Sequence, residues 1–164
     1  GTNFTPYVKL LGPRGLDIPH VILTDRDPIP GRNPLVRRRL ITLLEVVGDE
    51  SDHNNMDVDE VTELAKYYGY FVNDDTLEPE LFASGLANAM QVVISRELRL
   101  KRPAQESLQQ WVDDPDQVNK EMLLKCVERI GKGRFAQSLA SSVSEDVCPD
   151  YIRLALERIR DVVA

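Results

Sequence analysis

The sequence contains few of the residues that build zinc sites and disulfide frameworks. Its 164 residues include two cysteines, Cys126 and Cys148, and two histidines, His20 and His53. The cysteines do not form a CxxC pair, and no cluster of cysteines and histidines occurs, so we expect neither a zinc site nor a disulfide-stapled fold. Such sparse cysteine usage is typical of a reducing compartment, and we expect the protein in the cytoplasm.

Long apolar segments and a positive charge balance are also missing. No run of about 18 apolar residues occurs, which argues against a transmembrane helix. The start, GTNFTPYVKLL, lacks the apolar core of a signal peptide. We therefore expect no membrane association. The formal net charge is -7 and the sequence pI is about 4.9. A chain this acidic does not bind nucleic acid over its whole surface, although a local basic patch is compatible with it.

Hydropathy patterns predict an α/β fold in the first half of the chain. Two short apolar runs, HVILT (residues 20–24) and YFVN (residues 70–73), are typical of buried strands. Two amphipathic helices are predicted between them, one capped by Asn33 and one opened by Asp57 or Asp59. Strands that alternate with helices favour a parallel sheet. Between the two helices, the acidic stretch GDESDHNNMDVDE has no periodicity and is predicted to be a loop.

The second half shows only helical periodicity. After Glu80 the predicted helices cover residues 86–100, 105–112, 118–130, 134–143 and 151–163. We therefore predict an α/β region over residues 1–82 and a mostly helical region over residues 83–164.

Two aspartates, Asp25 and Asp27, follow the first predicted strand directly. Residues two apart in a strand point to the same side, and ligands of open α/β sheets bind beyond the carboxyl ends of the strands. Two carboxylates on one side repel each other unless a cation lies between them, and Mg²⁺ prefers such oxygen ligands. The pattern favours a divalent metal site, while turn formation, with Asp27 shaping the turn at Pro28, stays open as the alternative.

Further charged residues lie close to this pair or to the second strand. Asp74, Asp75 and Glu78 follow the second predicted strand, although Asp75 and Glu78 also have the spacing of a helix capping box. Basic residues near the pair that would suit a phosphate-rich substrate are Arg26, Arg32 and the run Arg37–Arg39. Lys132 lies between two glycines, where the predicted helices are interrupted. For each of these basic residues, a solvated surface position is the alternative.

Three stretches together resemble the Toprim domain of the OLD (overcoming lysogenisation defect) family of nucleases. They are VILTDRDP (residues 21–28), YFVNDDTLEPELF (residues 70–82) and GKGRFAQSLA (residues 131–140). The arrangement is most similar to the class encoded beside a UvrD-like helicase. The resemblance implies a Toprim-type parallel sheet flanked by helices. It also implies a metal-dependent endonuclease of phage defence that cleaves DNA phosphodiester bonds with two Mg²⁺ or Mn²⁺ ions.

The resemblance also implies roles for individual residues. Asp25 and Asp27 would ligate metal and take part in catalysis. Glu78 would help to hold a second ion, with Asp75 or Asp74 as a further ligand. Lys132 would stabilise charge at the transition state, in a segment (residues 131–143) that returns to the Toprim active site. Contacts to DNA phosphates are predicted for Arg26, Arg32 and Arg37.

The chain departs from the Toprim pattern in one respect. Toprim domains carry a glutamate at the end of their first strand, and none of the residues before Asp25 is a glutamate. We therefore expect that strand, and the family's ATPase domain, to lie outside this chain, so that ATP acts only through a domain that the chain does not contain. DNA is the expected partner. A UvrD-like helicase and self-association through the absent domains are further expectations.

Two other functions stay open at this point. VILTDRDP also resembles the DxD of haloacid dehalogenase-like phosphatases, in which Asp25 would be a nucleophile, although Pro28 replaces the small residue that is usual there. The second is a module without catalytic activity that binds a partner helicase. Phosphorylation of Asp25 would favour the phosphatase, and metal binding without DNA cleavage would favour the binding module.

Overall fold

The structure is a computed structural model that describes residues 3–26 and 35–163. Two compact units are distinguished by their internal contacts: Gly1–Thr76 together with Asp150–Ala164, and Leu77–Pro149. This division differs from the predicted boundary near residue 82 because it assigns the last helix to the first unit. The predicted domain organisation itself stays a prediction. No helix within the described ranges is long and apolar enough to cross a membrane.

Two short parallel strands form the sheet of the first unit. Helix α1 (Thr5–Leu11) precedes β1 (Ile22–Thr24), and helices α2 (Leu35–Val47) and α3 (Val58–Tyr67) connect β1 to β2 (Tyr70–Val72). Ile22 lies opposite Tyr70 and Thr24 opposite Val72. A parallel pair requires such a crossover connection. Both strands lie within the predicted apolar runs, and the α/β fold class is confirmed.

The core of the first unit lies between the sheet and the apolar stripes of its helices. The buried residues of α2 are Val36, Leu40, Leu43 and Leu44, a helical spacing that places them on one face of the helix. The buried cluster comprises Val8, Ile22, Val36, Leu40, Leu43, Leu44, Val61, Ala65, Tyr70 and Val72. Burial of this cluster fixes how β1 and β2 are positioned, because their apolar side chains belong to it.

The start of α3 is set by a reciprocal cap. The Asp57 carboxylate accepts hydrogen bonds from the backbone N–H groups of Asp59 and Glu60, and the Glu60 carboxylate accepts one from the Asp57 N–H at 2.8 Å. Asp57 rather than Asp59 therefore begins the helix, which decides between the two predicted positions. The predicted cap of α2, Asn33, lies outside the described residues.

The second unit is built from helices within the described residues. They are α4 (Leu77–Leu81), a π-helical turn (Phe82–Leu86), α5 (Ala87–Leu98), α6 (Arg102–Asp113), α7 (Lys120–Ile130) and α8 (Lys132–Leu139), with short 3₁₀ turns at residues 115–117, 140–142 and 145–147. Their buried core contains Phe82, Leu86, Met90, Ile94 and Leu123. Gly85 interrupts the π-helical turn with φ 113°, a conformation that favours glycine. The predicted helical character of this part of the chain is confirmed.

Two details differ from the predicted pattern. Helix α6 begins at Arg102 rather than Gln105, because Pro103 occupies its first turn, where a missing N–H is tolerated, instead of separating two helices. Helix α4 begins at Leu77, so Glu78 is its second residue and Asp75 lies two residues before the helix. The capping box of Asp75 and Glu78 stays a prediction.

The last helix belongs to the first unit. Helix α9 (Asp150–Val163) contacts both strands and buries Ala155. Together with the crossover helices, it encloses the sheet that positions the strand ends.

Candidate functional site

The carboxyl ends of the two strands are joined by the side chain of Asn73. The Asn73 backbone N–H donates to the Thr24 carbonyl at 3.3 Å and continues the strand pairing by one residue. The Asn73 Nδ2 donates to Asp25 Oδ1 at 2.8 Å, and its Oδ1 accepts from the Arg26 backbone N–H at 2.9 Å. Asn73 is 2% exposed. A buried amide therefore fixes the position of the first predicted metal ligand.

Arg39 of α2 also holds the end of β1 in place through hydrogen bonds. Its Nη1 donates to the Thr24 hydroxyl and, at 3.1 Å, to the Asp25 carbonyl. These bonds use the backbone and the hydroxyl, not the Asp25 carboxylate. One member of the predicted arginine run thus serves to hold the strand end in place.

Two further arginines of this region, Arg26 and Arg37, bind other groups of the first unit. Arg26 forms ion pairs with Asp59 at 2.5 Å and with Asp74 at 3.6 Å. Arg37 donates to three carbonyls of the loop before α3, those of His53, Asn54 and Met56, at 2.7 to 3.2 Å. Contacts of Arg26 and Arg37 with DNA phosphates stay predictions, and Arg32 lies outside the described residues.

The predicted metal ligands are divided between the two units and the residues outside the described ranges. Asp25 and Asp75 belong to the first unit and Glu78 to the second, while Asp27 lies outside the described residues. Among residues 3–26 and 35–163, no group of three histidine, cysteine, aspartate or glutamate side chains has the geometry to hold a metal. The oriented Asp25 carboxylate is nevertheless a hard oxygen donor of the kind that Mg²⁺ and Mn²⁺ take. This one described donor suits a divalent cation, and metal binding by Asp25 together with Asp27 stays a prediction.

In the second unit, the two predicted site residues contact each other. Lys132 Nζ lies 3.0 Å from Glu78 Oε1; the Glu78 side chain is 9% exposed and that of Lys132 is 67% exposed. Lys132 is the first residue of α8, directly after Gly131, whose φ of 90° ends α7. A buried carboxylate is costly without a charged partner, so the lysine stabilises Glu78 in this position. The sequence pointed to both residues separately but not to their direct contact.

Comparisons with solved structures identify the family. The chain is 56% identical to the C-terminal region of the Burkholderia pseudomallei OLD protein, with a TM-score of 0.95, over 100% of this chain and 80% of that one. It is 67% identical to the C-terminal region of the Xanthomonas campestris pv. campestris OLD protein, with a TM-score of 0.89, over 99% of this chain and 77% of that one. The chain belongs to the OLD protein family. Comparisons with protein-family models and with curated proteins give no match.

Sequence reasoning missed one buried polar cluster of this OLD-family chain. Asp49, in the acidic loop, accepts hydrogen bonds from the Tyr68 hydroxyl at 2.7 Å and from the Ser51 N–H at 3.0 Å, and its Oδ1 lies 2.8 Å from His53 Nε2. The Tyr68 hydrogen bond is the largest cause that lowers the pKa of Asp49 to about 2, while burial opposes it. The same bond raises the pKa of Tyr68. The signal was the run of Asp, Ser and His in the loop, but Tyr68 lies 19 residues away.

This cluster predicts how the stability of the protein depends on pH. Because the pKa of Asp49 is about 2 in the folded state and 3.8 ordinarily, its stabilising effect is present above pH 3.8 and is lost as the pH falls towards 2. Asp49→Asn should lower the free energy of unfolding at pH 7 by about 1–3 kcal/mol and flatten its fall between pH 4 and pH 2. Urea unfolding at a series of pH values measures both effects. Glu50→Gln, at the exposed neighbouring position, is the control. If the free energy of unfolding of Asp49→Asn fell as steeply between pH 4 and pH 2 as that of the unaltered chain, Asp49 would not be the group responsible.

Proposed function

We propose that this OLD-family chain is the catalytic part of a metal-dependent DNA endonuclease that hydrolyses phosphodiester bonds. Family membership supports this proposal, because the Toprim resemblance of the OLD nucleases implies the same chemistry. The observation that carries it is the hydrogen bond from Asn73 Nδ2 to Asp25 Oδ1 at the carboxyl end of β1. Ligands of parallel sheets bind at this end of the strands.

Asn73 orients Asp25 without neutralising it. An amide donor is uncharged, so a carboxylate that it holds keeps its negative charge for a cation, unlike a carboxylate paired with arginine. Arg39 contributes to the same result, because it is bonded to the Thr24 hydroxyl and to the Asp25 carbonyl rather than to the Asp25 carboxylate. We therefore assign Asp25, with Asp27, to the binding of Mg²⁺ or Mn²⁺. When bound, the ion would polarise the phosphate and supply an activated water.

Arg26 is proposed to bind the DNA backbone beside this site, and Arg32, which lies outside the described residues, stays a second candidate. Arg26 already pairs with Asp59 and Asp74, whose side chains are 74% and 97% exposed. Exposed ion pairs of this kind contribute little and can exchange for a phosphate partner. The three carbonyl bonds of Arg37 favour a structural role for that residue, which holds the loop before α3.

The proposed function predicts loss of cleavage when the two aspartates are neutralised. Asp25→Asn combined with Asp27→Asn should abolish Mn²⁺ binding by calorimetry and lower the rate of supercoiled-plasmid cleavage by at least about a hundredfold, because the oxygen ligands lose their charge. The measurement uses a version extended at the N terminus by the strand and glutamate that the resemblance implies. Asp116→Asn, an exposed carboxylate of the second unit, is the matched control. Cleavage and Mn²⁺ affinity that are unchanged in the double variant would exclude this site.

A separate prediction concerns Lys132. If its ammonium stabilises charge that develops on the phosphate, Lys132→Ala should lower single-turnover cleavage of labelled duplex DNA on the order of a hundredfold while Mn²⁺ affinity stays constant. Lys125→Ala is the matched control, because Lys125 is a lysine of α7 that is 58% exposed and pairs with a glutamate. If the cleavage rate fell by less than about threefold while DNA binding stayed intact, the role of Lys132 would be structural, through its ion pair with Glu78.

A further inference from the structure

A groove of about 420 Å³ lies in the first unit beside the carboxyl end of β1. Asn3 and Thr5 line it at the start of the α1 segment, and Arg38 and Arg39 line it on α2. Arg39 also borders the proposed metal site, because its Nη1 lies 3.1 Å from the Asp25 carbonyl. The groove therefore adjoins the strand end at which the proposed function places the cleaved phosphate.

The connection between the two strands explains why the groove lies at this end of the sheet. Helix α2 follows β1 in the crossover connection, so its first turns lie near the carboxyl end of that strand. Arg38 and Arg39 are the fourth and fifth residues of α2 (Leu35–Val47). Both arginines thus lie at the end of the sheet where ligands of parallel sheets bind.

The charge of the groove differs from that of the whole chain. The chain contains 27 acidic and 20 basic residues, yet the described residues that line the groove include two arginines and no aspartate or glutamate. A concave surface with charge of one sign attracts ligands of the opposite sign. The Asn3 amide and the Thr5 hydroxyl can donate hydrogen bonds, and such groups commonly bind phosphate oxygens. The groove is therefore suited to a phosphate.

Of the three consecutive arginines of α2, Arg38 is the one that remains available for a ligand. Arg37 donates to carbonyls of the loop before α3, and Arg39 donates to the end of β1. Arg38 is exposed, and its guanidinium forms no ion pair or hydrogen bond with the described part of the chain. Its neighbours three and four residues later on the helix are Ile41 and Thr42, neither of which carries a negative charge.

We propose that this groove binds a phosphate of the DNA backbone next to the phosphate that is cleaved, with Arg38 as its ion-pair partner. The inference rests on the proposed function, because it requires DNA to lie across the end of β1. A phosphate recurs at each nucleotide of a strand, so a backbone that reaches the metal site carries further phosphates past the groove. A guanidinium can bind a phosphate through two parallel hydrogen bonds. Such a contact fixes the position of the DNA without reading its sequence.

DNA binding by a variant that cannot cleave tests the role of Arg38. In the background of Asp25→Asn combined with Asp27→Asn, Arg38→Gln should weaken binding of a labelled duplex about tenfold, because a charged hydrogen-bonded contact is lost. It should also reduce the slope of log Kd against log salt concentration by about 0.9, which corresponds to one phosphate. Arg38→Lys keeps the charge without the planar fork, so it should retain the slope and only part of the affinity. Fluorescence anisotropy over a series of salt concentrations measures both quantities.

Arg158→Gln is the matched control for the loss of one positive charge. Arg158 is an exposed arginine of α9 in the same unit, and it lines a cavity together with Tyr70, the first residue of β2. It therefore lies at the opposite end of the sheet from Asp25. Its replacement should leave the affinity for DNA and the salt dependence nearly unchanged.

Single-turnover cleavage at increasing protein concentration separates this role from that of Lys132. In the version extended at the N terminus, Arg38→Gln should raise the protein concentration that gives half of the maximal rate about tenfold, while the maximal rate stays within about twofold. A contact that holds the DNA equally before and during the reaction has this effect, whereas the loss of Lys132 should lower the maximal rate itself.

Three results would overturn the assignment of Arg38. They are affinity and salt dependence of Arg38→Gln equal to those of the background variant, equal weakening by Arg158→Gln, and a maximal cleavage rate that falls with Arg38→Gln as it does with Lys132→Ala. If the extended version cleaves with Mn²⁺ while Arg38→Gln has no effect, the subsite fails and the proposed function stands. If Arg38→Gln weakens DNA binding but no version cleaves DNA, the groove remains a phosphate-binding site and the proposed function fails.

Discussion

The arrangement of the candidate site depends on the parallel register of two strands of three residues each. That register places Thr24 opposite Val72, so that Asn73 follows directly and its side chain reaches Asp25 and the Arg26 N–H. A slip of one residue would turn each side chain to the other face of the sheet. So short a ladder is held mainly by its surroundings, namely the apolar cluster under α2 and α3 and the bonds that Arg39 makes to the end of β1.

Asp49 and Asp25, two carboxylates of the first unit, have different surroundings. Those of Asp49 indicate a structural role, and those of Asp25 favour the proposed metal-binding role. Asp49 accepts hydrogen bonds from the Tyr68 hydroxyl and the Ser51 N–H and also contacts His53, so its charge is compensated by neighbouring side chains and backbone. Asp25 is oriented by an uncharged amide instead. A carboxylate that is fixed but not compensated by a cation retains its attraction for a divalent ion.

Local sequence patterns were sufficient to predict the helices and strands, but they did not predict the contacts between them. The runs HVILT and YFVN predicted both strands, and the spacing of Asp57 and Glu60 produced the cap that begins α3. The Asn73–Asp25 bond could not be read from the sequence, because it requires the strand register across 48 positions. The same holds for the contact of Lys132 with Glu78 and for the packing of α9 in the first unit, which arise only when distant segments meet.

In the proposed site, the amide of Asn73 holds Asp25 in place as a ligand for a divalent cation. Anomalous diffraction from crystals of the chain soaked in Mn²⁺ can detect such an ion. A manganese peak is expected about 2.1 Å from a carboxylate oxygen of Asp25, with the Asn73 amide still bonded to the other oxygen. Asn73→Ala crystals, in which the orienting donor is missing, should show this peak at much lower occupancy. Manganese bound only at other acidic residues, with Asp25 free of metal, would show that Asp25 is not a metal ligand.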